Sequence, residues 1–206
     1  MSVQMLPKAV LDLISKLENL PGIGPKSAER LVFYLLHNPL AELEDLASKL
    51  VALKKETILC SRCHQISQKN PCSICQDEKR DQSVICVVEQ PLDLIALEKA
   101  NYYHGLYHVL HGKIDPLNNI GPEQIFLYDF IDRIKKMPQL KEIILATNAS
   151  MEGETTAFYI KELIVQEKNL PSLKITRLGF GLPIGADIEY ADYLTLSHAL
   201  QSRREL

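Results

Sequence analysis

Through the first quarter of the chain, apolar positions recur at helical spacing. Val10, Leu11, Ile14 and Leu17 form one stripe over residues 8 to 19, and Ala28, Leu31, Val32, Leu35 and Leu36 form a second over 26 to 37. A third helical pattern runs from Ala41 to about Leu53. From about residue 84 the period shortens. The β-rich runs VICVVE (84–89), KEIILAT (141–147) and LKITRL (173–178) alternate with helical stretches near 91–100, 123–136 and 154–168. Strand and helix in alternation predict parallel strands with crossover helices, hence an α/β domain behind a helical N-terminal region.

Composition narrows the possibilities. A chain of 206 residues, 46% of them hydrophobic, can bury a core and still carry smaller modules. Its formal net charge of −3 advertises no polyanion partner, so any nucleic-acid surface has to be a local basic patch. No apolar run approaches the ~18 residues that span a bilayer. The N-terminal stretch MSVQMLPKAV lacks the basic and apolar regions of a signal peptide. We therefore expect a cytoplasmic protein with no membrane partner, in which thiols stay reduced and clustered cysteine pairs read as metal ligands.

The segment LPGIGPKSAERL (20–31) joins the first two helical stripes. Gly22 and Gly24 can take positive φ and let another backbone approach, while Pro21 and Pro25 fix φ and Pro25 suits the first position of the next helix. The free amides at that helix start form a natural site for a phosphate oxygen. Lys26 and Arg30 lie one turn apart beside them. This string resembles the helix-hairpin-helix motif, which binds DNA backbones without sequence preference. The resemblance implies DNA contact by Gly22, Gly24, Lys26 and Arg30, with Ile23 as the hydrophobic anchor of the loop. Such hairpins also serve subunit contact alone, so both uses stay open.

The second motif is CSRCHQISQKNPCSIC, with Cys60, Cys63, Cys72 and Cys75 in two C-x-x-C pairs. Each pair offers two thiolates from one tight turn, and two such knuckles close a tetrahedral structural Zn²⁺ site. Two disulfides are disfavoured in a reducing compartment, and a redox-active site needs only one pair. One zinc ion per chain is the expected cofactor. Arg62, Lys69, Lys79 and Arg80 are placed to offset the charge of the four thiolates. His64 is poorly placed to be a ligand, and Cys86 within VICVVE reads as a core residue.

Cys60, Cys63, Ser67, Cys72, Ile74, Cys75 and Arg80 match, position for position, the pattern of the bacterial RecR recombination mediator family. The order of modules over nearly the whole length is similar as well. The resemblance implies a helix-hairpin-helix region (1–56), a four-cysteine zinc finger (57–80), a Toprim α/β domain (81–177) and a C-terminal helical segment (178–206), the last carried by GLPIGADIEYADYLTLSHAL. It also implies a non-catalytic protein that works with RecO, and in some settings RecF, to load RecA onto single-stranded DNA coated by single-strand-binding protein. Homodimers or ring-like homotetramers encircling single-stranded, gapped or duplex DNA are expected, in a nucleoid-associated location.

Toprim enzymes place a glutamate after the first strand and an Asp-x-Asp pair after a later one to hold Mg²⁺. Glu89 takes the first place, whereas ATNASMEGETTA (146–157) puts Asn148 and Ser150 at the other two. Exchanging two carboxylates for an amide and a hydroxyl removes two charges from a Mg²⁺ site, so metal-assisted phosphoryl chemistry is expected to fail. The alternative, a Mg²⁺-dependent nuclease or a primase-like phosphoryl transferase, rests on Glu89, Glu152 and Glu154, which leave cation or nucleotide binding open. The resemblance makes Glu152 and Glu154 candidates for the RecO contact, while Glu154 can equally serve to favour the start of its helix. The cluster YYHGLYHVLHG (102–112) reads as strand and loop packing around Gly105, with a metal site or a base-stacking platform as alternatives, and the charges at 78–81 and 203–204 read as solvated.

Overall fold

The computed structural model describes residues 6–167, 170, 173–179 and 181–203; the N-terminal stretch before Leu6, and Arg204 of the terminal basic pair, lie outside them. The chain divides into two compact units, Met1–Thr57 and Ile58–Leu206.

The first unit is helical: α1 (Lys8–Glu18), α2 (Pro25–Leu36) and α3 (Leu40–Lys55). The two stripes read from the sequence meet, so that Val10 and Ile14 of α1 pack on Ala28 and Val32 of α2, with Leu6, Leu17 and Ile23 at the margin. Pro25 sits at the first turn of α2, where its missing N–H costs nothing. Helix α3 buries no residue.

The second unit opens with a two-stranded antiparallel ribbon, β1 (Ile58–Leu59) and β2 (Ile66–Ser67), and the short helix α4 (Ser73–Gln76). Then comes the α/β body: β3 (Asp81–Val88), α5 (Pro91–Ala100), β4 (Gly105–Val109), α6 (Leu127–Ile134), β5 (Glu142–Ala146), α7 (Met151–Gln166) and β6 (Lys174–Arg177). The four strands form one parallel sheet in the order β4-β3-β5-β6. Alternate residues of β3 face opposite layers, as the period of two requires. Ile85 and Val87 join the core built with α6 and α7. Cys86 and Val88 join Leu94 of α5, Tyr107 and Val109. Cys86 is thus a core residue, and burial pushes its thiol up to about 12.

The tail carries a single turn of 3₁₀ helix at Ile188–Tyr190 and helix α8 (Tyr193–Gln201), whose start is capped by Asp192 accepting from the Thr195 amide at 3.0 Å. The histidine-rich stretch resolves into β4, which is buried along its whole length. The direction in which strands are added across the sheet reverses between β3, whose crossover leads outward to β4, and β5, whose crossover leads the other way to β6. A crevice opens at the carboxyl ends of β3 and β5 in any sheet of this topology. Among the described residues, no helix is long and apolar enough to cross a membrane.

Candidate functional site

The ribbon and α4 gather the four predicted cysteines. The Cys60 amide donates to Gln65 O at 2.9 Å and the His64 amide to Cys60 O at 2.9 Å, closing the first knuckle, and Gln76 N donates to Cys72 O at 3.0 Å in the second. The four sulfur atoms all lie within 4.8 Å of one another. Cys63 Sγ and Cys72 Sγ are 3.5 Å apart, close to the edge of about 3.8 Å in a tetrahedron around Zn²⁺ with bonds of about 2.3 Å. All five cysteines are free. The donor set therefore fits a closed four-sulfur site able to hold a metal ion. The Cys72 amide already donates to Cys60 Sγ at 3.3 Å, the kind of bond that stabilises a thiolate.

Crowding thiols in one buried place splits their proton affinities. The Cys63 contact, and then the one from Cys75, pull Cys72 far below the ordinary thiol value, to about 2. Hydrogen bonding to Cys72 and Cys75, with burial added, pushes Cys63 up. A cation that replaces the shared protons relieves that conflict.

Of the four cations expected around the knuckles, Arg62 touches the second, donating to Cys75 O at 3.2 Å. Arg80 is committed elsewhere: it forms a fork with Glu98 of α5 and donates to Gly105 O at 3.0 Å. The solvated reading of residues 78–81 fails for this arginine, because only 14% of its side chain is exposed. His64 is not a ligand. Its ring stacks on Phe126 at 4.0 Å and meets His108 edge-on at 5.1 Å. His111 Nε2 lies 2.6 Å from the His64 carbonyl, and the Val109 amide donates to Cys63 O at 2.8 Å, so the first knuckle is seated on the edge strand β4. His108 is fully buried with Nε2 2.7 Å from Phe126 O, and burial holds it down to about 3.

At the crevice, Glu89 follows β3 and Asn148 lies two residues beyond β5. Glu89 is 3% exposed. Asn148 donates twice to it, from its amide N to Oε1 and from Nδ2 to Oε2, each at 2.8 Å. Ser150 caps α7, accepting from the Gly153 amide at 3.2 Å. Glu152 pairs with Lys113 at 2.9 Å, and Glu154 pairs with Arg177. The Lys113 ammonium holds Glu152 well below the usual carboxylate range, at about 2. A Mg²⁺ ion of the Toprim kind does not fit these residues, because donors and not lone pairs face the Glu89 carboxylate. Nothing in the sequence marks Lys113 and Arg177, because they stand 39 and 23 positions from their partners and no periodicity links them.

In the helical unit, the turn adopts positive φ only at Gly22, at +79°. Gly24 is the N-cap of α2 at φ −88°, ψ 172°, an ordinary extended conformation. No side chain caps α2 and no acid lies in its first turn, which leaves its leading amides open to an anion. Lys26 and Arg30 are exposed and join no ion pair among the described residues. Ile23 packs against the α1–α2 core as the anchor of the loop.

Comparison with known proteins follows the same division. A family model for the RecR helix-hairpin-helix matches residues 10–54, one for the Toprim domain matches 83–178, and one for the RecR C-terminal segment matches 181–204. Recombination protein RecR of Moorella thermoacetica is 48% identical over 200 residues, covering 97% of this chain and 98% of that protein. The proteins of the same name from Heliobacterium modesticaldum and Roseiflexus sp. are each 47% identical, over 94% and 99% of this chain and 95% and 97% of their own lengths. With that identity sustained end to end, and with family models on the helical, Toprim and C-terminal regions, the chain belongs to the RecR family of recombination proteins.

Proposed function

We propose that the protein is a non-catalytic, DNA-binding recombination mediator in DNA repair. With RecO, and in some settings RecF, it helps load RecA onto single-stranded DNA coated by single-strand-binding protein. The observation that carries this reading is the open N-terminus of α2, with Lys26 and Arg30 exposed and unpaired beside the Gly22 turn. Backbone amides and two cations on one helix face recognise phosphate and read no base, which suits a protein that acts wherever a gap occurs.

The four cysteines hold one structural Zn²⁺, and Glu152 with the more exposed Glu154 presents the surface for RecO. A homodimer or ring-like homotetramer encircles the DNA, in the cytoplasm at the nucleoid. A Mg²⁺-dependent nuclease or primase-like transferase is the weaker reading, since Glu89 has both oxygens occupied by Asn148.

The test is DNA binding by the full chain as a function of salt. Lys26→Ala with Arg30→Ala should weaken affinity equally for all sequences and flatten the logarithmic salt dependence by about two phosphate contacts, roughly 1.4–1.8 in slope. Unchanged affinity and slope would remove the hairpin from the DNA contact.

A further inference from the structure

Three carboxylates stand at the carboxyl ends of β3 and β5, where the topology places a crevice, and each already has an internal partner. Glu152 has Lys113 and Glu154 has Arg177, as ion pairs. Glu89 is the most buried of the three and forms no ion pair among the described residues, although the Lys113 ammonium that pairs with Glu152 also feels its charge; a single residue satisfies both of its oxygens through two N–H groups at 2.8 Å. A buried carboxylate is costly unless fully compensated, and a two-point grip by one partner is also how an ion is held.

The spacing carries the comparison further. Cis oxygens around an octahedral divalent ion with bonds of about 2.1 Å stand about 3.0 Å apart. Replacing Nδ2 of Asn148 by an oxygen would place two carboxylate oxygens at close to that separation with no proton between them. The backbone on either side is fixed: Asn148 O lies 2.2 Å from where a Cβ on Gly153 would sit, and Thr147 Oγ1 donates to Gly153 O at 2.8 Å. The loop has little room to open and let the oxygens part.

We propose that the Asn148 side chain is a built-in substitute for a divalent cation on Glu89, so that the crevice is complete without metal and becomes a metal site when the amide is lost. This reading is independent of DNA binding by the hairpin.

Three variants and the wild-type protein, all full length and carrying the metal of the cysteine cluster, test it by thermal unfolding with and without added Mn²⁺ and by electron paramagnetic resonance of free Mn²⁺. The wild type should melt at the same temperature in both conditions. Asn148→Asp should melt about 5 °C or more lower without Mn²⁺, recover most of that with it, and bind one further ion. Adding Glu89→Gln to Asn148→Asp should abolish the recovery. Asn148→Ala bares Glu89 without adding charge and should show a smaller Mn²⁺ stabilisation, which serves if the aspartate variant does not fold. Wild-type protein that gains as much from Mn²⁺ as the aspartate variant overturns the proposal. So does indifference to Mn²⁺ in both single variants, the result expected of the aspartate variant if Glu89 and the introduced carboxyl group merely share a proton.

Discussion

At Gly153 one methyl group would be decisive. A Cβ there would stand 2.2 Å from the Asn148 carbonyl oxygen and 2.8 Å from Glu89 Oε1, and main chain cannot swing aside as a side chain can. Gly153→Ala should therefore destabilise the protein by about 1–3 kcal/mol in denaturant titration. Gly24 offers the internal control: its Cβ would meet nothing within 4 Å and its φ is negative, so Gly24→Ala should change stability by no more than about 0.5 kcal/mol. Equal losses at the two positions would mean that close approach is not what Gly153 provides. The sequence shows Asn148 as a departure from a carboxylate pattern, because the neighbouring string supplies the register. It does not show where the amide goes. That partner lies 59 residues earlier, and pairings of that kind leave no period to read.

At the scale of elements, helices and strands with a clear period were legible, and the ambiguous ones were those whose pattern served something other than one buried face. Helix α5 spans Pro91–Ala100 as expected, framed by Pro91 at its first turn and Asn101 in the left-handed conformation at its end. The predicted stretch at 123–136 is a single 3₁₀ turn at Pro122–Gln124 followed by α6, because Phe126 leaves helical geometry where its carbonyl meets His108 and its ring meets His64. Strand β4 is obscured by its one histidine, His108, which packs inward under the knuckle. The same contacts bind two elements into one: Cys63 O and His64 O accept from β4 and from His111 beside it. Stripping the metal should lower the unfolding temperature of the unit containing the sheet and release the Val109 amide to hydrogen exchange. A metal-free protein that keeps both would show that the cluster is dispensable to the strand. Affinity for the metal should fall as pH falls, since protons compete for the same sulfurs.

For the whole molecule, the telling element is α3. Leu43, Leu46, Leu50 and Leu53 follow the 3-4-3 spacing of a packing seam, yet Leu46, Leu50 and Leu53 are 44%, 62% and 66% exposed. Among the described residues of this unit, the buried core is only Val10, Ile14, Ala28 and Val32, which is small for three helices. An apolar stripe left uncovered on so small a unit calls for a second surface, which agrees with the proposed homo-oligomer. Leu46→Glu with Leu50→Glu should reduce the mass measured by light scattering while leaving the sheet-containing unit folded. An undiminished mass would place the subunit contact elsewhere. None of this was visible from the net charge of −3, which averages over surfaces that do different work.

The seating of the first knuckle on β4 also has a direction in time. Chains leave the ribosome from the N-terminus, and all four clustered cysteines precede Asp81, where the sheet begins. The four-cysteine group that could hold a metal ion is thus complete while every strand of the sheet is still being made. Cys63 and His64, whose carbonyls accept from Val109 and His111, precede β4 in the chain, as does its sheet neighbour β3, so both surfaces on which the edge strand is seated leave the ribosome before it does.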